Sequence, residues 1–171
     1  MRIVFLLAVG VILSLGSMAT TPAEAQSLDL VGSYELMWRD LKGGNKLHAP
    51  DGVAGMLTFT NGRRNFNVTW KHEDGSTASI AYVGGYQLTE DQYCESPIYW
   101  MQNNVDGLGI VKYGAPAEKR QCTTVMRDGD TIMFTFKGEA VIAMFEGDRI
   151  TATSTDRDGD VVFVDHWRRV D

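Results

Sequence analysis

Near its C-terminus the chain places a carboxylate beside an imidazole, Asp165-His166, the most chemically suggestive neighbours in the sequence. Adjacent strand residues face opposite sides of a sheet, so at most one of the two can point inward. If Asp165 shares a face with Val161, Phe163 and Trp167, burial among apolar groups raises its pKa toward that of a general acid or base. The plainer reading, and the preferred one, is a rim-exposed Asp165 paired with Arg168 or Arg169. Glu95 is the second carboxylate candidate for proton transfer. With Tyr99 and Tyr113 it can also supply polar contacts near a long segment at 102–119. His48, His72 and His166 are not spaced as a metal pair, so neither zinc nor haem is expected. Asp156-Arg157-Asp158-Gly159-Asp160 resembles part of a calcium loop but lacks the later glutamate and reads better as a hairpin turn. No phosphate loop, Gly-x-Ser-x-Gly, His-Glu-x-x-His or Cys-x-x-Cys motif is present, and no cofactor is expected.

The elements that must position these groups are short strands. Tyr34, Leu36 and Trp38 alternate with residues such as Glu35 and Arg39, and Phe66, Val68 and Trp70 alternate with asparagine and threonine. Asn61-Gly62, Asp128-Gly129, Gly147-Asp148 and the 156–160 segment are hairpin signals. Gly84-Gly85 suggests a bulge or a close backbone approach. Residues 102–119, rich in Asn, Gly and Pro, read as a long loop or irregular segment. Nine or ten strands without a long amphipathic helix predict an all-β, antiparallel up-and-down meander, which removes its edges by closing into a barrel.

In the later strands Ile132, Phe134, Phe136, Val141, Ala143 and Phe145 form one face, and Met126, Met133, Ile142 and Met144 the other. One set is expected to line a cavity and the other to pack against neighbouring segments. Phe134, Phe136, Met144, Tyr99 and Trp70 are the candidate ligand-binding residues, the methionines being adaptable surfaces for an apolar ligand. The alternative is that the methionines only fill the core.

Residues 1–25 read as a cleavable signal peptide. Arg2 precedes an apolar run from Ile3 to about Leu15, shorter than the roughly 20 residues of a membrane span, and Ala23-Glu24-Ala25 forms the cleavage site. No cysteine follows the apolar run, so no lipid anchor is expected, and the mature domain, 26–171, is placed in the periplasm or secreted. The formal net charge is −6, and removing residues 1–25 takes away one charge of each sign, Arg2 and Glu24. That balance argues against a nucleic-acid partner, which is bound through clustered Lys and Arg. No second apolar run follows, so no integral membrane segment is expected after cleavage. In an oxidising compartment Cys94 and Cys122 read as one disulfide, closing a loop of about 29 residues for about 3–4 kcal/mol on the chain-entropy model.

The segment Leu30-Val31-Gly32-Ser33-Tyr34-Glu35-Leu36 resembles the opening of the lipocalin-like (calycin) superfamily, whose members begin strand one with Gly-x-Trp; Tyr34 stands in the tryptophan's place. Val83-Gly84-Gly85-Tyr86 resembles a mid-chain Tyr-x-Gly-x-Tyr of bacterial lipocalin-like domains. The resemblance implies a barrel of eight to ten strands. It assigns structural roles to Gly32 and Tyr34, with Arg168 or Arg169 packed over the strand-one aromatic for about 0.5–2 kcal/mol. Three functions follow: binding of a small, mainly hydrophobic molecule in the cavity, a cofactor-independent isomerase, cyclase or lyase on the same barrel, and an envelope-interaction or inhibitor module using residues 102–119. The missing catalytic constellation favours binding.

Overall fold

The computed structural model describes residues 30–114 and 120–171; the signal-peptide reading lies outside them. Thirteen strands appear and, among the described residues, no helix. They are β1 (Gly32–Leu41), β2 (Lys46–His48), β3 (Val53–Thr60), β4 (Arg63–Lys71), β5 (Thr77–Leu88), β6 (Gln92–Asn103) and β7 (Val111–Gly114) in the first part. β8 (Gln121–Thr124), β9 (Met126–Asp128), β10 (Thr131–Phe136), β11 (Val141–Glu146), β12 (Arg149–Thr155) and β13 (Val161–Arg169) follow. They form one antiparallel sheet in the order β7-β6-β5-β4-β3-β1-β13-β12-β11-β10-β9, curled strongly into a half-barrel. Successive strands are mostly neighbours, as tight hairpins require. Gly62, Gly129, Gly147 and Gly159 all hold the positive φ that their turns demand.

Residues 121–128 run almost as one strand. Val125, buried, interrupts it: β8 pairs with β6 while β9 pairs with β10. Residues 121–128 therefore hydrogen-bond at one end to one arm of the curled sheet and at the other end to the other arm. Thr123 Oγ1 adds a bond to the Thr135 carbonyl at 3.0 Å. Cys94 and Cys122 are register partners across β6 and β8 and are joined by a disulfide.

The expected loop at 102–119 is in its first half a hairpin. β6 runs on to Asn103 and β7 returns beside it. Asn104 makes the turn, at φ 52°. Its side chain donates to Ser76 Oγ and the Thr77 carbonyl and accepts from the Gly109 amide at 2.6 Å. The Asn and Gly residues that suggested irregular chain are the residues a left-handed turn needs. Leu108, Val111 and Tyr113 of this hairpin are exposed.

β1 changes face part-way along. Tyr34 and Leu36 point inward, but the pairing with β13 shifts between Leu36 and Trp38. A bulge inverts the alternation beyond it. Trp38, expected on the face of Tyr34 and Leu36, lies outside, stacked on His166 with ring centroids 4.4 Å apart. Arg39 is turned inside and buried.

One end of the fold is filled with aromatic side chains. Phe134 stacks on Tyr93 at 4.1 Å and on Phe145 at 5.2 Å, and Tyr34 meets Phe145 and Phe59 edge-on. Arg169 covers Tyr34, its guanidinium 5.0 Å from the ring centroid and its Nη2 donating to the phenol oxygen at 2.6 Å. Arg168, its neighbour, is exposed. Gly32 has φ 148°, and a Cβ there would lie 2.8 Å from Arg169 Nη1. The glycine of the Gly-x-Tyr segment thus makes room for the arginine that caps it.

Candidate functional site

The inward faces of β1, β3, β4, β10, β11, β12 and β13 surround a cavity of about 300 Å³. Its wall is mainly apolar, with Leu57, Phe66, Trp70, Phe136, Phe163 and Trp167 prominent in it. Each arises from strand alternation: Phe66, Val68 and Trp70 on β4, and Phe163, Asp165 and Trp167 on β13. Gly55 keeps the wall thin at one point. A Cβ there would sit 2.8 Å from Val68 Cγ2 and 3.0 Å from Trp167 Cη2, so glycine is what lets the indole lie against β3.

Two buried charge assemblies interrupt this wall. In the first, Asp165 is 3 % exposed and is held by Arg39, whose Nε and Nη2 donate to its two carboxylate oxygens at 2.6 and 2.8 Å. The guanidinium lies 4.0 Å from the Phe163 ring centroid and 4.9 Å from that of Trp70. This corrects the preferred sequence reading of Asp165 as a rim residue paired with Arg168 or Arg169. Its partner is on β1, brought inside by the bulge. With both oxygens engaged, the carboxylate is not poised as a free base.

The second assembly centres on Arg64, wholly buried on β4. Nη1 donates to Glu95 Oε2 at 3.1 Å and to Glu139 Oε1 at 2.9 Å, and Nη2 donates to Glu139 Oε2 at 2.9 Å. The Tyr93 hydroxyl donates to Glu95 Oε2 at 3.1 Å, and the guanidinium lies 3.8 Å from the Phe136 ring centroid. Burial works against the charge on Arg64, but Glu139, Tyr93 and Glu95 together hold its pKa above the ordinary arginine value. Burial likewise pushes Glu95 up; Arg64 pulls it down less strongly, and Glu139 adds to the rise. Tyr93 is pushed well up, again by burial first.

A second, smaller compartment of about 220 Å³ adjoins the cavity, with Ile80, Gln102, Gly138 and Glu139 common to both walls. Glu95, Trp100 and Gln121 line it. Glu139, reaching in from the turn between β10 and β11, thus stands at the boundary of the two spaces.

Of the ligand-binding candidates, Phe136 and Trp70 line the cavity, and Phe134 belongs to the filled aromatic end. Met144 lies on the outer face of β11, opposite buried Ala143 and Phe145, and Met126 and Ile142 are exposed on that side. The methionine face is therefore the outside of the sheet and does not line the cavity. Tyr99 is exposed on β6 and lines neither compartment. Arg64 and Arg39 are the inward residues that sequence reasoning missed. Arg64 shares the parity of Phe66, Val68 and Trp70, so alternation alone points it inward; for Arg39 alternation gives the wrong face.

Desolvation also raises the Asp165 pKa, against the pull of Arg39. At Asp40 the slight desolvation is outweighed by hydrogen bonds from Lys46 and His166, which hold that carboxyl low. Carboxyl ¹³C titration is expected to find Glu95 and Asp165 above their ordinary ranges and Asp40 below its own. A raised carboxyl keeps its proton in the folded chain where the unfolded chain has lost it. Its share of stability is full below the unfolded pKa and is lost as pH rises through the folded one. Glu95→Gln should therefore flatten the decline of stability with rising pH, and an unchanged slope counts against the shift.

No family model matches the chain, and neither does any curated protein or solved structure. Among the described residues no helix is long and apolar enough to cross a membrane, and no group of three or more His, Cys, Asp or Glu is placed to hold a metal ion. The disulfide is compatible with an oxidising, exported compartment.

Proposed function

We propose that this chain is an exported, lipocalin-like protein whose curled sheet closes through residues 121–128 into a barrel and holds a small, mainly hydrophobic molecule in the cup. The observation that carries this reading is the cavity of about 300 Å³, lined by aromatic and aliphatic side chains and bounded by charges that already have partners. A concave, mostly apolar space with a few fixed polar groups is the usual form of a small-molecule site. The pairing of β8 with β6 and of β9 with β10 supports closure, and Arg169 over Tyr34 supports the lipocalin-like reading of the capped end.

The test is uptake of the neutral fluorescent probe N-phenyl-1-naphthylamine by delipidated protein, compared with Ala152→Leu. Ala152 lines the cavity, and the added side chain occupies the space a ligand would take. The wild type should enhance probe emission saturably. The variant should bind at least about tenfold more weakly while staying within about 1–3 kcal/mol of wild-type stability. Absence of saturable uptake by the wild type, or equal uptake by the variant, would overturn the proposal.

A further inference from the structure

Two buried N–H donors on residues of the cavity wall, Arg64 Nε and Trp167 Nε1, have no hydrogen-bond partner among the described residues. Arg64 has no exposed surface and Trp167 is 3 % exposed. Glu95 and Glu139 engage Nη1 and Nη2 of Arg64 and leave Nε aside. Trp167 has a single side-chain polar atom, so its hydrogen bonding rests on Nε1 alone. A buried donor without a partner costs more than a made bond returns, and native folds seldom keep one without a use.

The two donors belong to residues that meet the same ring. The guanidinium carbon of Arg64 lies 5.3 Å from the Phe66 ring centroid, and the ring centroids of Phe66 and Trp167 are 6.1 Å apart. Phe66 lines the cavity with them, beside Leu57 and Val68. The unmet demand of this mainly apolar wall is therefore for an acceptor. One of the donors sits on a charged guanidinium, which strengthens any bond it makes. A carbonyl oxygen carries two lone pairs and matches the two donors. A carboxylate brings about four acceptor sites, of which two donors would satisfy half.

Resting on the cavity-binding reading above, we infer that the ligand is a neutral, mainly apolar carbonyl compound of the ketone or ester type. Its carbonyl oxygen accepts from Arg64 Nε and Trp167 Nε1, and its apolar body lies against Leu57, Phe66 and Trp70. Binding completes the bonding of Arg64, whose other two nitrogens already hold Glu95 and Glu139. A pure hydrocarbon in the same place would leave both donors buried and unpaired.

Displacement of bound N-phenyl-1-naphthylamine by butyrophenone, butylbenzene and 5-phenylpentanoate tests this. The first two differ only in a carbonyl that replaces a methylene, and the third carries a carboxylate. Apolar burial alone favours the hydrocarbon, so the sign of the preference is diagnostic. Butyrophenone is expected to bind at least about tenfold more tightly than butylbenzene, and Trp167→Phe, which keeps an aromatic ring without the N–H, should erase much of that preference. The carbonyl stretch of bound butyrophenone should also fall below its frequency in hexane, as a hydrogen-bonded carbonyl requires. Butylbenzene binding as tightly as the ketone would overturn the inference while leaving the cavity reading intact. So would an unshifted carbonyl band, a Trp167→Phe protein that keeps the full preference, or 5-phenylpentanoate binding more tightly than the ketone. If none of the three displaces the probe, the cavity reading fails together with the inference. Should Trp167→Phe not fold, as judged by near-UV circular dichroism, the wild-type series and the carbonyl band decide.

Discussion

Replacing Arg64 with leucine is expected to lower the stability of the folded chain by about 3–5 kcal/mol, the cost of leaving a buried charge partner uncompensated. The magnitude follows from the surroundings. Arg64 has no exposed surface, and the side chain of Glu95 is only 6 % exposed. Without the guanidinium, the Glu95 carboxylate keeps one bond, from Tyr93, and must either stay charged among aromatic rings or take up a proton. Glu139 suffers less, because its side chain is 18 % exposed and can hydrate. Urea unfolding followed by tryptophan fluorescence should show the midpoint falling at unchanged slope. Adding Glu95→Gln to Arg64→Leu should recover part of the loss, a coupling of about 0.5–3 kcal/mol expected of residues in one buried network. The exposed pair Lys42–Asp160, at 2.9 Å, serves as contrast, since its removal should cost no more than about 1 kcal/mol. If Arg64→Leu costs no more than the surface pair, the buried assembly is not the keystone described.

The second large effect is expected from the disulfide. Cys94 and Cys122 are 28 positions apart, and losing the bridge in the Cys94→Ala, Cys122→Ala double variant should cost about 3–4 kcal/mol by the chain-entropy argument. The loss should also have a location. β8 is four residues long and meets the rest of the sheet through β6, with the disulfide across that pairing. Amide exchange should therefore accelerate first at 92–95 and 121–124, before the β3–β4 and β11–β12 hairpins respond. A uniform increase in exchange, or a cost below about 1 kcal/mol, would mean that β8 is held by its hydrogen bonds and by Val125 rather than by the covalent clamp.

Much of the frame was legible because it depends on local chemistry. The hairpins at 61–62, 128–129, 147–148 and 156–160 follow from residues that tolerate positive φ or bond their own backbone; in the last, Asp156 Oδ1 accepts from the amides of Asp158 and Asp160. Phe163, Asp165 and Trp167 share a face simply because alternate strand residues do. The pairing of the cysteines followed from their number and from the expectation of an oxidising compartment. The placement of Arg64 was equally legible in its parity with Phe66, Val68 and Trp70, and only its charge argues against an inward position.

The rest had no local signature. A period of two predicts faces only while the pairing register runs on unbroken, and the shift in β1 arises from how that strand meets β13. Hence Trp38 and Arg39 exchanged the faces expected of them, and Asp165 acquired a buried partner 126 positions away instead of a neighbouring arginine at the rim. Which side of β10 and β11 is inside depends likewise on the curl of the sheet, and that curl put Met144 on the outer surface. By itself the sequence determined an all-β antiparallel meander, its turns, its disulfide partners and the alternation along each strand. Only the tertiary structure decided where that alternation inverts, that two arginines neutralise carboxylates inside the fold, and that Glu139 reaches from a turn to the boundary of two cavities. Each of these depends on the register between strands distant in sequence, which backbone pairing and burial set together and no single segment encodes.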